Sequence, residues 1–209
     1  LGSSFAAQKT GNIADISVFS FHPRKFVTTG EGGVITTNDD SLAEWMKSYK
    51  RFGMNLIQSG YDELFQQVGT NYKLSDILTA LGNAQLEIIE DLLAARLKAA
   101  QFYDELLADC QDIQIPQVTR NGTHSYQTYC VKVPNQQPIR TYLAHKGIET
   151  QIGSYALHVQ QPFSKLTSDN FPVSLDLYRN LLALPLFYEI TPDQQRYVVN
   201  MLIKAINHC

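Results

Sequence analysis

Ser20-Phe21-His22-Pro23-Arg24-Lys25-Phe26-Val27-Thr28-Thr29-Gly30-Glu31-Gly32-Gly33 is the stretch on which the fold turns. Before it, Ile16–Phe21 alternates apolar and small residues as a short strand does. After it, Val34-Ile35-Thr36-Thr37 is rich in β-branched residues and predicts a second strand. Between the two, Pro23 stiffens a turn from which Lys25 projects. The glycines that follow let backbone approach something closely. A lysine held in a concave, partly desolvated site has a lowered pKa and can form a Schiff base with an aldehyde. Most lysines are solvated surface charges, so residue type alone does not select this reading. The Gly run fits neither the P-loop nor the dinucleotide fingerprint.

Outward from this stretch, Asn38-Asp39-Asp40 is a helix-cap cluster, and Leu42, Trp45, Met46 and Tyr49 follow at helical spacing. Residues 53–72 lack sustained periodicity and read as a long loop. From Ser75 the period is helical through Leu106, too long for one ordinary helix. A short helix running into a longer one near Asn83 to Leu86 is expected. Tyr126–Val133 alternates as a strand, with Tyr129, Val131 and Val133 on one face. Pro138–Gly147 predicts a helix with Gly147 past its end, and Glu149–Ile152 a short strand. Thr191-Pro192-Asp193-Gln194 is a capping box opening a last helix, whose stripe is Val198, Met201, Leu202, Ala205 and Ile206. Asn121-Gly122-Thr123 reads as a turn rather than a glycosylation acceptor. Mixed strands and helices argue an α/β protein.

Composition narrows the function classes. The 209 residues are 44% hydrophobic and 18% charged, with a formal net charge of −3, ordinary for a globular protein. Such a charge offers no basic field for nucleic acid, and no apolar run is long enough to span a bilayer. Cys110, Cys130 and Cys209 are odd in number, widely spaced and lack metal-ligand spacing with the histidines. Neither a disulfide framework nor a metal site is expected, and a reducing cytoplasm fits. Leu1–Phe5 lacks the charged and apolar regions of a signal peptide and begins without Met, so a longer parent protein is expected.

The stretch Ser20–Gly33 resembles the signature of the DegT/DnrJ/EryC1/StrS family of sugar aminotransferases, a Ser-Phe-His-x-x-Lys motif followed by Gly-Glu-Gly-Gly. Asn71-Tyr72-Lys73-Leu74-Ser75 is similar to the family's Asn-Tyr-Arg-x-Ser, and Ala80–Glu87 to its Ala-Leu-Gly-x-Ala-Gln-Leu-Glu helix. Ser125–Tyr129, Gly147–Thr150, Tyr155–His158 and Leu184–Leu186 follow in family order, so the likeness runs nearly end to end.

That resemblance implies a truncated fold-type I pyridoxal-phosphate transferase. Residues 1–85 would end the large cofactor domain, and 86–209 would form the linking helix and small C-terminal domain. It implies that Lys25 carries pyridoxal 5'-phosphate covalently and later moves the 1,3-proton. Ser20 would bond the cofactor phosphate, and Asn71 would reach the phosphate of the neighbouring subunit in a homodimer with shared sites. Lys73 stands where the family commonly has Arg; charge is kept but a bidentate fork is lost. His22, Lys73 and His158 are candidate substrate contacts, with His158 in a segment near the nucleotide-sugar. By residue type alone, Ser20 could simply end a strand, Asn71 could cap a turn, and His158 could be an ordinary core or surface histidine. The resemblance decides for Ser20 and Asn71 and leaves His22 and His158 open. Tyr126 and Tyr155 read as packing aromatics.

In the family, the carboxylate that pairs with the ring nitrogen, the stacking aromatic and most of the phosphate cup precede the segment that Leu1-Gly2 matches. The implied reaction moves an amino group, with glutamate as donor, onto a keto group of a nucleotide-linked sugar. The alternatives are an amino-cyclitol or aromatic precursor as substrate, a sugar dehydratase, and a silent interaction module. Lys25 stands where the dehydratase relatives have His, which argues against the second.

Overall fold

In the computed structural model, residues 1–55, 64–163, 165 and 170–208 are described. The chain divides into two units: Leu1–Glu90 with Arg120–His124, and Asp91–Thr119 with Ser125–Cys209.

In the first unit, β1 (Ser4–Phe5) lies between β2 (Gln8–Lys9) and β7 (Gly122–Thr123) in a small antiparallel sheet. Asn121-Gly122-Thr123 is therefore not a bare turn. Asn121 takes the positive φ of +63°, while Gly122 and Thr123 pair with Phe5 and Ser4. β3 (Ser17–Ser20) and β4 (Gly33–Thr36) form an antiparallel ribbon from Ser17↔Thr36 to Ser20↔Gly33, within a residue of the strands expected. Gly33 is required there, because a Cβ would lie 2.8 Å from the Phe19 carbonyl oxygen.

α1 (Asp40–Tyr49) starts where the cap cluster says it should. The Asp39 carboxylate accepts from the amides of Ser41 (2.8 Å) and Leu42 (3.0 Å). The stretch expected to be one long loop holds two short paired strands, β5 (Met54–Asn55) and β6 (Leu64–Phe65); residues 56–63 lie outside the described ones. α2 (Asp76–Glu87) is capped by Ser75, whose hydroxyl accepts from the Leu78 amide. It breaks at Ile88, slightly later than expected, before α3 (Ile89–Leu107). Phe21 and Val27 are the buried apolar side chains among this unit's described residues, so its best-packed part is the loop around Lys25.

The second unit holds the main hydrophobic core. Its sheet has the order β8 (Tyr129–Lys132), β10 (Leu181–Leu184), β9 (Gln151–Ile152), all antiparallel. β8 is shorter than the strand expected, because Tyr126 adopts φ +47° and interrupts the extended run. The expected face is correct, with Tyr129, Val131 and Val133 all buried. α4 (Gln136–His145) ends before Gly147 at φ +73°. α5 (Pro172–Asn180) leads straight into β10. α6 (Pro192–His208) opens on its capping box: the Thr191 amide donates to Gln194 Oε1 (2.9 Å) and the Gln194 amide to Thr191 Oγ1 (3.2 Å). Val198, Val199, Leu202 and Ala205 of α6 meet Ile139 and Leu143 of α4 and Ala100, Tyr103 and Leu107 of α3 in one cluster.

Buried polar groups are tied into this core. Arg96 donates to the carbonyls of Tyr126 (2.9 Å) and Gln127 (2.8 Å), and Gln195 Nε2 to that of Ala99 (2.7 Å). Burial alone holds the Arg96 guanidinium below its ordinary pKa. Among the described residues no helix is long and apolar enough to cross a membrane, and no cluster of three metal-ligating side chains occurs. Cys110 and Cys130 are free thiols, and burial raises the pKa of both; Cys209 lies outside the described residues.

Candidate functional site

The polypeptide leaves β3 at Ser20 and folds back on itself through short-range hydrogen bonds. The His22 amide donates to Ser20 Oγ (3.3 Å), the Lys25 amide to the His22 carbonyl (2.8 Å), and the Arg24 amide to His22 Nδ1 (3.2 Å). With Nδ1 accepting, the neutral imidazole carries its proton on Nε2, 3.9 Å from the Glu31 carboxylate. Ser20, His22 and Lys25 thus share one turn, with Lys25 half-buried and Ser20 exposed.

Beyond Lys25 the loop is closed at its base. The Phe21 amide donates to the Gly32 carbonyl (2.9 Å), and the Phe21 carbonyl accepts from the Thr29 amide (3.1 Å) and the Thr28 hydroxyl (2.8 Å). The Gly30 amide, at φ +79°, donates to Thr28 Oγ1 (3.0 Å), and Thr29 Oγ1 donates to the Glu31 carbonyl (2.9 Å). From α2, Gln85 reaches the same backbone. Its Oε1 accepts from the Thr28 amide (3.0 Å) and its Nε2 donates to the Thr28 carbonyl (2.7 Å). Gln85 appeared in the sequence only as part of a matching helix; nothing local marks it as a partner for residue 28.

Asn71 and Lys73 form a second cluster. Lys73 Nζ donates to Asn71 Oδ1 and lies 4.4 Å from the Phe52 ring centroid, a cation–π distance. Both residues are exposed, and the Asn71 backbone bridges to Arg51. His158 belongs to the other unit. It is buried in a 3-10 turn (Leu157–Val159) and stacked on Phe171 at 5.1 Å, and its Nε2 has no hydrogen-bond partner among the described residues. Tyr126 packs in the core, whereas Tyr155 is 60% exposed and not a core aromatic.

A cavity of about 700 Å³ opens in the second unit over Ile148, Leu184, Phe187, Ile190 and Tyr197. None of Ser20, His22, Lys25, Asn71, Lys73 or His158 lines it.

Comparison with known proteins gives these features a context. The model of the DegT/DnrJ/EryC1/StrS aminotransferase family matches residues 1–203. The chain is 32% identical over 180 residues to a GDP-perosamine synthase of Caulobacter vibrioides, covering 83% of this chain and 48% of that protein. It is 29% identical to a dTDP-3-amino-3,6-dideoxy-alpha-D-galactopyranose transaminase of Aneurinibacillus thermoaerophilus, covering 99% and 54%. Among solved structures, Helicobacter pylori PseC, an aminotransferase involved in the biosynthesis of pseudoaminic acid, superposes with a TM-score of 0.90 at 27% identity, covering 100% of this chain and 58% of that one. A Streptococcus pneumoniae protein named as a sugar aminotransferase, in its PLP-form, gives a TM-score of 0.90 at 23% identity, covering 100% and 56%, which bears on fold alone. The architecture is accordingly part of the fold-type I aminotransferase fold. The chain spans about half the length of the curated relatives it matches.

Proposed function

Because the chain belongs to the DegT/DnrJ/EryC1/StrS aminotransferase family, we propose that the full-length protein is a pyridoxal-phosphate-dependent aminotransferase. It would move an amino group from glutamate onto a keto group of a nucleotide-linked sugar. The observation that carries the reading is the Lys25 turn, a half-buried primary amine on backbone that is hydrogen-bonded on both sides of it. These residues fit the cofactor. An amine can hold its aldehyde, and the Ser20 hydroxyl at the end of β3 can donate to its phosphate. Bound pyridoxal phosphate supplies the electron sink for a carbanion at the substrate carbon.

The protein's own residues do the rest. Lys25 would hold the cofactor through Nζ and, with its amine free, would serve as the base that takes the proton from one carbon and returns it to the other in the 1,3-shift. Exposed Asn71 reaches the phosphate site of a second subunit, so the sites are shared across a homodimer. Lys73, already beside Asn71, adds a positive charge there. His22 borders the site, and His158, whose Nε2 has no hydrogen-bond partner among the described residues, binds the nucleotide-sugar. Residues 1–85 end the cofactor domain and 86–209 form the linking helix and small domain. The division of the chain after Glu90 supports that partition. A cytoplasmic location fits the free thiols of Cys110 and Cys130.

The test is to offer the full-length protein a panel of keto-sugar nucleotides with glutamate. Amination of at least one is the expected result. Cofactor binding with no amination of any member would remove the substrate class from the proposal.

A further inference from the structure

We infer that Gln85 is a positioning residue for Lys25, holding the backbone that follows the lysine as a strand partner would. The inference rests on the reading of Lys25 as the cofactor lysine.

The carboxamide of Gln85 pairs with both polar groups of Thr28, receiving its N–H (3.0 Å) and donating to its C=O (2.7 Å). Its second amide hydrogen goes to the Leu81 carbonyl of its own helix (2.9 Å), so the group is oriented before it meets the loop. The side chain that makes these contacts must be both donor and acceptor. Glu lacks the donors, and Leu lacks both donor and acceptor.

Thr28 lies three residues after Lys25 and 57 residues before Gln85 in sequence. On either side of it, Val27 and Thr29 are each 1% exposed. Gly82, one turn earlier on α2, leaves space for Thr29; a Cβ there would lie 3.0 Å from Thr29 Cγ2. The loop is therefore fixed by burial at Val27 and Thr29, by its own closure at Phe21, and by the Gln85 clamp between them. A lysine side chain reaches its target through four rotatable bonds, so a displaced backbone displaces Nζ. A shift of about 1 Å at a reacting group can cost roughly 10²-fold in rate.

The experiment uses the full-length apoprotein with Gln85→Leu and Gln85→Glu. Three quantities are read: hydrogen exchange at the Thr28 and Gly30 amides, the rate at which added pyridoxal phosphate develops its lysine-bound visible absorbance, and the affinity for pyridoxine 5'-phosphate. That last probe keeps the ring and phosphate but has an alcohol in place of the aldehyde, so it cannot bond a lysine. In Gln85→Leu, the Thr28 amide should exchange at least about tenfold faster. Covalent attachment should slow by at least about tenfold, while pyridoxine phosphate affinity stays within about twofold. Gln85→Glu, which keeps the acceptor and loses the donor, should fall between, and it serves as the test should the leucine variant not fold.

Unchanged attachment, or equal weakening of both probes, would overturn the positioning role. Borohydride reduction and peptide mapping separate the two failures. Label on a different lysine removes the Lys25 reading and the role of Gln85 with it. Label on Lys25 with unaltered attachment in Gln85→Leu removes the role of Gln85 alone.

Discussion

Raising the pH past 10 should destabilise the second unit, and two tyrosines should account for much of the effect. Tyr103 and Tyr129 are both 0% exposed, with ring centroids 5.0 Å apart. The Tyr103 hydroxyl donates to the Pro185 carbonyl (2.9 Å) and that of Tyr129 to Asp104 Oδ1 (2.5 Å). Burial pushes both phenols well above their ordinary pKa; for Tyr129 the hydrogen bond to Asp104 and that carboxylate's charge add to it. The folded state thus disfavours phenolate while the unfolded chain ionises near pH 10. The stabilising contribution is complete below pH 10 and is lost as pH rises above it.

Each such group approaches a slope of about 1.4 kcal/mol per pH unit. Between pH 10 and 11, where ionisation of the unfolded chain is still incomplete, the loss is about 1 kcal/mol per tyrosine and about 2 kcal/mol for the pair. That is a large share of a stability of roughly 5–15 kcal/mol. Tyr126, raised by burial and then by Asp104, acts in the same direction. Guanidinium unfolding of the 209-residue chain, followed by far-UV circular dichroism from pH 8 to 11, measures the slope. Tyr129→Phe should lose about half of the pair's alkaline decline, while lysine titrations common to both proteins cancel in the comparison. A slope identical in the wild type and in the Tyr103→Phe, Tyr129→Phe double variant would refute the reasoning.

Thr191→Ala removes the hydroxyl that accepts from the Gln194 amide and should destabilise the second unit by about 1 kcal/mol, read as a lower guanidinium midpoint at unchanged slope. Full-length Lys25→Ala and Asn71→Ala should each be impaired, yet mixing them should restore activity, because a mixed dimer can contain one site with both residues intact. Subunit exchange without any recovery would refute the shared site.

Where chemistry is local, the fold was legible. Asp39 and Thr191 announce their helices because a cap needs partners only two or three residues away. β3 and β4 follow from β-branched and alternating residues on either side of the Lys25 loop. The central strand of the second sheet was not legible: Leu181–Leu184 is a continuous apolar run joined directly to α5, so it carries neither alternation nor a turn signal. Tyr126 and Asn121 take positive φ values that their residue types do not demand, and so the limits of β8 and the pairing of Gly122–Thr123 were misread. In the candidate site, Ser20, His22 and Lys25 are neighbours in sequence and in space, and their turn was foreseeable from Pro23 and the glycines. The Gln85 clamp was not, because its partner is 57 residues away and a glutamine on a helix face carries no sign of what it bonds.

The most direct test of the central claim is to identify the lysine that carries the cofactor. Full-length protein loaded with pyridoxal phosphate would be reduced with borohydride, digested, and its labelled peptide sequenced. The account predicts the label on Lys25, within Ser-Phe-His-Pro-Arg-Lys, and no label and no visible absorbance in Lys25→Ala. Label on another lysine, or undiminished absorbance and transamination in Lys25→Ala, would contradict it.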